Sequence, residues 1–198
     1  MVNYLKIYLL TLLCFLVGTS QFIIAGVLDK ISESLNISIS TAGQLITVFA
    51  LASAIGTPIV IMLIAKYNQR NQLLIALVIF LIGIFLTPLS LGFDFLILAR
   101  AITGIGSSVF VVVAYTLVTK LAKEGRQGSA MSNIALGFSL SLVLGVPLGR
   151  AITNFYDWHT IFYLIGILVL LGFIIIIFTI PKLIGEVRVP LKQQLQLL

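Results

Sequence analysis

Charged residues are scarce in this chain. Asp, Glu, Lys and Arg make up 9% of its 198 residues, whereas a water-soluble domain carries about 25%. The hydrophobic share is 60%, which is more apolar surface than a soluble fold of this size could bury, so the predicted solvent is lipid. The net charge of +6 comes from cations spread over short loops. No basic domain exists, and no nucleic-acid partner is expected.

Cysteine and histidine are nearly absent as well. Cys14 is the only cysteine and His159 the only histidine, which excludes an intrachain disulfide and a cysteine or His/Asp/Glu metal cluster. Serines occur within the apolar segments, but no Gly-x-Ser-Gly element is present to activate one as a nucleophile. The sequence therefore predicts a protein that is not an enzyme and that uses no metal or cofactor.

Six long apolar segments fill most of the chain. Each approaches or exceeds the ~20 residues that cross a ~30 Å hydrocarbon core, and backbone groups in lipid must pair within their own segment, so all six are predicted to be helices. The predicted class is an all-α membrane protein, with residues 1–181 forming a six-helix bundle and residues 182–198 a cytoplasmic tail or the start of a linker. The segments are Leu5–Leu28, Thr41–Ala65, Gln72–Leu91, Phe95–Thr119, Ser129–Phe155 and Trp158–Ile180.

The basic residues predict the orientation of these spans. With a cytoplasmic N-terminus, nine Lys and Arg residues lie on the cytoplasmic side and Lys30 alone lies outside. This distribution predicts a multi-pass protein of the cell membrane with both termini in the cytoplasm and the lipid bilayer as its first partner. The nine are Lys6, Lys66, Arg70, Lys120, Lys123, Arg126, Lys182, Arg188 and Lys192.

Arg100 lies inside the fourth predicted span. An arginine at the centre of a membrane helix costs ~2.5–3.5 kcal/mol on insertion scales, so such residues usually have a function. Thr103, Gly104, Ser107 and Ser108 follow it on the same helical face, which forms a small and polar stripe. The pattern favours a helix that lines a solute pathway. A structural arginine bonded to backbone carbonyls is the alternative.

Glycine and proline recur at related places in the two halves of the chain. Gly56-Thr57-Pro58 lies in the second predicted span and Gly145-Val146-Pro147 lies in the fifth. Helix breaks at corresponding positions of two helix triplets are typical of an inverted 3+3 repeat.

The fifth span carries further small residues. Gly137, Gly145 and Gly149 are spaced by eight and four residues, so that helix backbones can touch there. Pro147 frees the carbonyl of Val143 and permits a bend. The pattern predicts close helix packing in the fifth span.

Together these segments resemble the N-terminal half of a major facilitator superfamily transporter, in the drug–proton antiporter branch with twelve helices. The resemblance rests on Gly18–Phe22, Gly56–Arg70, Arg100–Gly106 and Gly137–Gly149. It implies a 3+3 inverted-repeat fold and a proton-coupling role for Arg100. It also implies packing and gating roles for Gly104 and Gly106, for Gly56 and Pro58, and for the glycine-rich fifth span.

Two departures from the branch concern charge. Gln21 stands where the branch often has Glu, so no acidic residue is buried in this half, and Gln21 itself is a candidate substrate contact. Ala65-Lys66 replaces the usual Asp-Arg in the loop before Arg70, which the resemblance assigns to the cytoplasmic gate. With Arg100, Thr103 and Ser107 of the fourth span, Gln21 completes the set of predicted pathway residues.

Two functions stay open on this sequence. In the first, the chain is a truncated or split half of a transporter that exports small amphiphilic compounds or sugars by alternating access, completed by a second six-helix half or by a homodimer. In the second, it is a membrane remnant or accessory half that transports nothing and associates with another membrane protein. The substrate and the coupling ion are not encoded in any motif of the sequence.

Overall fold

The computed structural model describes residues 2–89 and 91–180, and this part of the chain is helical throughout apart from short connections. It contains six helical segments long and apolar enough to cross a membrane, which confirms the predicted all-α class with six spans. The predicted tail, residues 182–198, lies outside the described residues. In chain order the elements are α1 (Val2–Gly26), α2 (Leu28–Ser34), α3 (Ile39–Ile64), α4 (Gln69–Leu86), a 3-10 turn (Thr87–Leu89), α5 (Phe93–Leu121), α6 (Gln127–Leu140), a π turn (Ser141–Gly145), α7 (Val146–Ile152) and α8 (His159–Thr179).

The residues at the helix ends explain where three of the spans begin. The Ser38 hydroxyl accepts a hydrogen bond from the Thr41 backbone N–H at 3.0 Å, and Asn68 Oδ1 accepts one from the Asn71 N–H at 2.9 Å. Each side chain caps the first turn of its helix, α3 and α4 respectively. Gly92 precedes α5 with a φ of 126°, a conformation that favours glycine. The chain can therefore reverse direction between α4 and α5.

Helix α5 lies at the centre of the bundle, packed against α3 on one side and α4 on another. A Cβ added at Gly106 of α5 would come within 2.6 Å of the Phe80 Cα in α4, and one added at Gly83 would come within 2.8 Å of the Thr103 Cα. The backbones of α4 and α5 are thus in direct contact. Small residues are needed there because lipid gives membrane helices little hydrophobic drive to associate.

The second and fifth spans, in which matching proline breaks were predicted, differ in structure. Helix α3 continues unbroken through Pro58, whereas the fifth span contains the π turn Ser141–Gly145 immediately before α7, which has Pro147 in its first turn. Neighbouring helices and local widening can satisfy the carbonyls that a proline leaves free in a membrane helix. Matching breaks were predicted in the second and fifth spans, and only the fifth has one.

The six spans are buried to different extents. In the most apolar stretch of each span, 61% of the residues of the first span and 56% of those of the fourth are buried. The corresponding shares are 11% in the second span and 22% in the fifth. Helix α3 and the pair α6–α7 therefore lie at the edges of the bundle and present most of their surface outward, while α1 and α5 lie inside.

Candidate functional site

Arg100 is the largest fully buried side chain of the described residues, with 1% of its surface exposed. Its Nη1 donates to the Ser20 carbonyl oxygen of α1 at a long 3.4 Å, and its guanidinium lies over the Phe49 ring of α3, 4.5 Å from the centroid. Arg100 Nε and the Ser20 hydroxyl, although buried, have no hydrogen-bond partner. A cation inside a bundle is thus held by one long hydrogen bond and one aromatic face, with donor capacity left over.

The other predicted pathway residues divide into two groups. Gln21 is half-buried and follows Ser20 directly in α1, so it lies beside the backbone that Arg100 reaches. Thr103 and Ser107 are buried, and their hydroxyls donate to carbonyls of their own helix, at Ala99 (2.7 Å) and Gly104 (3.0 Å). Both hydroxyls are therefore bonded within α5 in this structure, and their predicted place on the pathway stays a prediction.

The small and polar residues of α5 around the predicted stripe contact different helices of the bundle. An added Cβ at Gly104 would lie 2.7 Å from the Phe49 carbonyl oxygen of α3, whereas Gly106 and Thr103 pack on α4. Ser53 of α3 also donates to the Gly104 carbonyl at 2.9 Å. Small and polar residues on one helix therefore serve three contacts, with α1, α3 and α4.

Ser20, Phe49 and Ser53 were missed by the sequence reasoning. Ser20 lies within the Gly18–Phe22 segment and could have been noticed through its neighbour Gln21. Phe49 looks like any aromatic residue of an apolar span, and only the packing of α3 on α5 reveals its position under Arg100.

The glycines of the fifth span pack closely against successive residues of α1. Cβ atoms added at Gly137 and Gly145 would meet Thr11 and Thr19, and one added at Gly149 would meet Ile23. Thr19 and Thr11 turn their hydroxyls back to their own helix, onto the Phe15 and Ile7 carbonyls. The π turn lies along the middle of this contact. Gly56 of α3 packs in turn on the Ile105 side chain of α5, and Pro58 is exposed.

Arg70, which was predicted in the cytoplasmic loop, instead lies in the first turn of α4. This turn contacts the end of the last span. Arg70 Nη2 donates to the Ile177 carbonyl oxygen at 2.5 Å. In an unbroken helix that carbonyl would accept from the N–H of residue 181, but residue 181 is proline and has none. Arg70 therefore supplies the donor that the sequence removes. Lys66 is exposed and lies over the Tyr67 ring, 5.2 Å from the centroid.

Arg70→Gln is expected to speed amide hydrogen exchange in the last turn of α8 roughly tenfold, because that turn loses a charge-assisted hydrogen bond. Hydrogen exchange followed by mass spectrometry on the purified chain in detergent measures this. Lys66→Gln removes a charge of the same sign from the loop just before α4 and should leave the last turn of α8 unchanged. Equal acceleration by both variants would show that Arg70 does not hold the end of α8.

The end of the bundle opposite Arg70 carries acidic residues. Arg150 donates to the Gly26 carbonyl at 2.9 Å and to Asp29 at 3.2 Å. Partial burial raises the pKa of the Asp157 carboxyl, but hydrogen bonds from the His159 backbone and ring outweigh it and hold the pKa below its usual value. Across residues 2–89 and 91–180, no group of three or more His, Cys, Asp or Glu side chains could hold a metal ion.

These features define a class, a multi-pass helical membrane protein with a cation inside its bundle. Residues 10–195 match the sequence model of the Major Facilitator Superfamily, and the chain belongs to that family. The Uncharacterized MFS-type transporter YbcL of Bacillus subtilis (strain 168) is 44% identical over 197 residues, which are 100% of this chain and 50% of that protein. The chain thus spans about half the length of this relative.

Solved transporter structures show the same fold at low sequence identity. A bacterial homologue of the human lysosomal transporter Spinster has a TM-score of 0.80 and 19% identity, over 97% of this chain and 47% of that one. A peptide transporter, POT, crystallised with sulfate, has a TM-score of 0.78 and 14% identity, over 96% of this chain and 42% of the other. These likenesses confirm the predicted half-transporter fold.

Proposed function

We propose that this chain is the N-terminal half of a secondary transporter of the drug–proton antiporter branch, which exports small amphiphilic compounds or sugars by alternating access. The observation that carries the proposal is Arg100, a fully buried cation with an unpartnered Nε where α1, α3 and α5 meet. A charge kept in hydrocarbon with so few partners is costly for a structural role alone. The unpartnered Nε–H group of Arg100 can donate a hydrogen bond to a solute that binds and then leaves.

Charge limits the solutes that suit this half. All five acidic residues of the described segments are exposed, so no described carboxylate balances Arg100 inside the bundle. A buried cation repels a cationic solute and favours a neutral or anionic one. Any proton carrier of the antiport would then lie in the second half, since Gln21 cannot titrate.

The outward surfaces of the edge helices support a second half as partner. Exposed residues of α8 are large and apolar, as expected of a lipid contact. On α6, by contrast, exposed small residues recur at helical spacing along one face. Such residues let another helix approach closely, which lipid does not require. The α6 residues are Gly128, Ser132, Ala135 and Ser139.

The basic end of the bundle is proposed to face the cytoplasm of the cell. Arg70 contacts the end of α8 and Lys123 lies over Tyr4 at the start of α1, so these two cations share one end of the bundle. Arg150 and Asp29 lie together at the other. An excess of Lys and Arg on one side marks the cytoplasmic face of a membrane protein.

The proposal is tested by combining the chain with a second six-helix half. The chain is co-expressed with the remaining half of the Bacillus relative, and the purified pair is reconstituted into vesicles with an imposed proton gradient. We expect gradient-driven accumulation of a neutral amphiphilic dye or of a labelled sugar by the pair, abolished by a protonophore, and none by the chain alone. A pair that assembles but moves no solute of either class would favour the non-transporting alternative.

A further inference from the structure

A small cavity lies at the basic end of the bundle, outside the site around Arg100. It is lined by the start of α1, the end of α5 and the first turns of α6, it opens to solvent beside the exposed Lys123 and Arg126, and its volume is about 40 Å³. A single water needs roughly 10–15 Å³, so the cavity has room for a group of several heavy atoms. The lining residues are Tyr4, Ile7, Leu121, Ala122, Lys123, Arg126, Ser129, Ala130 and Asn133.

The polar part of this lining consists of two cations, two hydroxyls and an amide. Lys123 Nζ lies 5.9 Å from the centroid of the Tyr4 ring, so an ammonium and a phenol share one side of the cavity. Arg126 occupies the position before α6 and makes no side-chain cap to that helix. None of the described lining residues is acidic. The local field is therefore positive, with donors from three parts of the chain.

The start of α6 adds to this field. Ser129 and Ala130, which line the cavity, belong to the first turn of the 14-residue helix α6. The N-terminal end of a helix carries about half a positive charge. Cations, hydroxyls and this helix end around one cavity match the requirements of a tetrahedral oxyanion.

We propose that this cavity binds a phosphate group, presented either by the headgroup of an anionic phospholipid or by a soluble phosphate. Lys123 and Arg126 supply the charge, Ser129 and Tyr4 donate hydroxyl hydrogen bonds, and Ile7 and Leu121 close the apolar floor. The site is separate from Arg100 and does not depend on transport. Binding there would tie the loop between α5 and α6 to the start of α1.

The test measures binding by the purified full chain in neutral detergent. Inorganic phosphate and, in a second arm, short-chain phosphatidylglycerol are titrated, with binding followed by calorimetry and by the shift of the unfolding temperature. Lys123→Gln is expected to weaken binding about tenfold, the worth of one charge-assisted hydrogen bond. Lys66→Gln is the matched control, because Lys66 is also a loop lysine over a tyrosine ring, and it should change the affinity less than about twofold.

A second pair of variants tests the hydroxyl. Ser129→Ala should weaken binding, whereas Ser132→Ala should not, because Ser132 donates to the Gly128 carbonyl of its own helix and does not line the cavity. Selective weakening with inorganic phosphate supports a soluble ligand, and selective weakening with phosphatidylglycerol alone supports a lipid headgroup. Absence of binding in both arms, or equal weakening by Lys123→Gln and Lys66→Gln, overturns the proposal.

Discussion

Arg100→Met is expected to abolish transport by the reconstituted pair of halves while leaving the bundle as stable as before or slightly more stable. Transport should fall by about a hundredfold or more, as is usual when a buried charge aimed at a reacting or moving group is removed. Stability should not fall, because the guanidinium has one long hydrogen bond and an unpartnered Nε, and replacing an incompletely paired buried charge by an apolar side chain is often neutral or favourable. Initial rates in vesicles and thermal unfolding in detergent measure the two effects.

Arg150→Met provides the matched comparison. Arg150 is also an arginine within a span, but its side chain is 57% exposed and bonds to Asp29 and to the Gly26 carbonyl at the rim. An exposed ion pair contributes only about 0–1 kcal/mol, so this variant should change both measurements little. A loss of several kcal/mol of stability in Arg100→Met, with transport retained, would make Arg100 a structural brace through Phe49 and Ser20.

The spans were predictable because lipid constrains the chain strongly. Six apolar runs of adequate length leave the backbone no alternative to helices, and the predicted segments agree with the helices to within a few residues. The short helix α2 (Leu28–Ser34) was not predicted. Its seven residues include three charged ones and only two apolar ones, Leu28 and Ile31, which is too few for a periodic signal.

The site was only partly predictable. Arg100 stands out in the sequence because a charge in hydrocarbon is rare. The alternative of a structural arginine bonded to a backbone carbonyl was also foreseen, and the bond to Ser20 is of that kind. Helical spacing placed Thr103 and Ser107 on the same face as Arg100, but a face of α5 touches three helices, and spacing cannot tell which neighbour each residue meets.

The π turn shows the same limit for backbone structure. Proline marks both Pro58 and Pro147 as places where a helix can break, yet only Ser141–Gly145 widens. In the fifth span, the glycine and threonine contacts with α1, such as Gly145 against Thr19, fix one side of the helix. No contact of this kind is visible in a single sequence, since it depends on how two distant segments are aligned.

Gly106→Ala is expected to cause the largest loss of stability of any single methyl group added to this bundle. The new Cβ would lie 2.6 Å from the Phe80 Cα and 2.9 Å from the Ile79 carbonyl carbon, both backbone atoms of α4. Backbone atoms cannot turn aside as a side-chain end can, so α4 and α5 must separate. Overpacking usually costs about 1–3 kcal/mol, and we expect the upper end, roughly 3 kcal/mol, measured as the free energy of unfolding in mixed detergent.

Gly43→Ala is the control for the chemical change itself. Gly43 lies near the start of α3, and an added Cβ there would meet nothing within 4 Å. Alanine is a better helix former than glycine by about 1 kcal/mol, so this variant should be neutral or more stable. If Gly106→Ala also unfolds no more easily than the parent chain, then α4 and α5 are not in backbone contact.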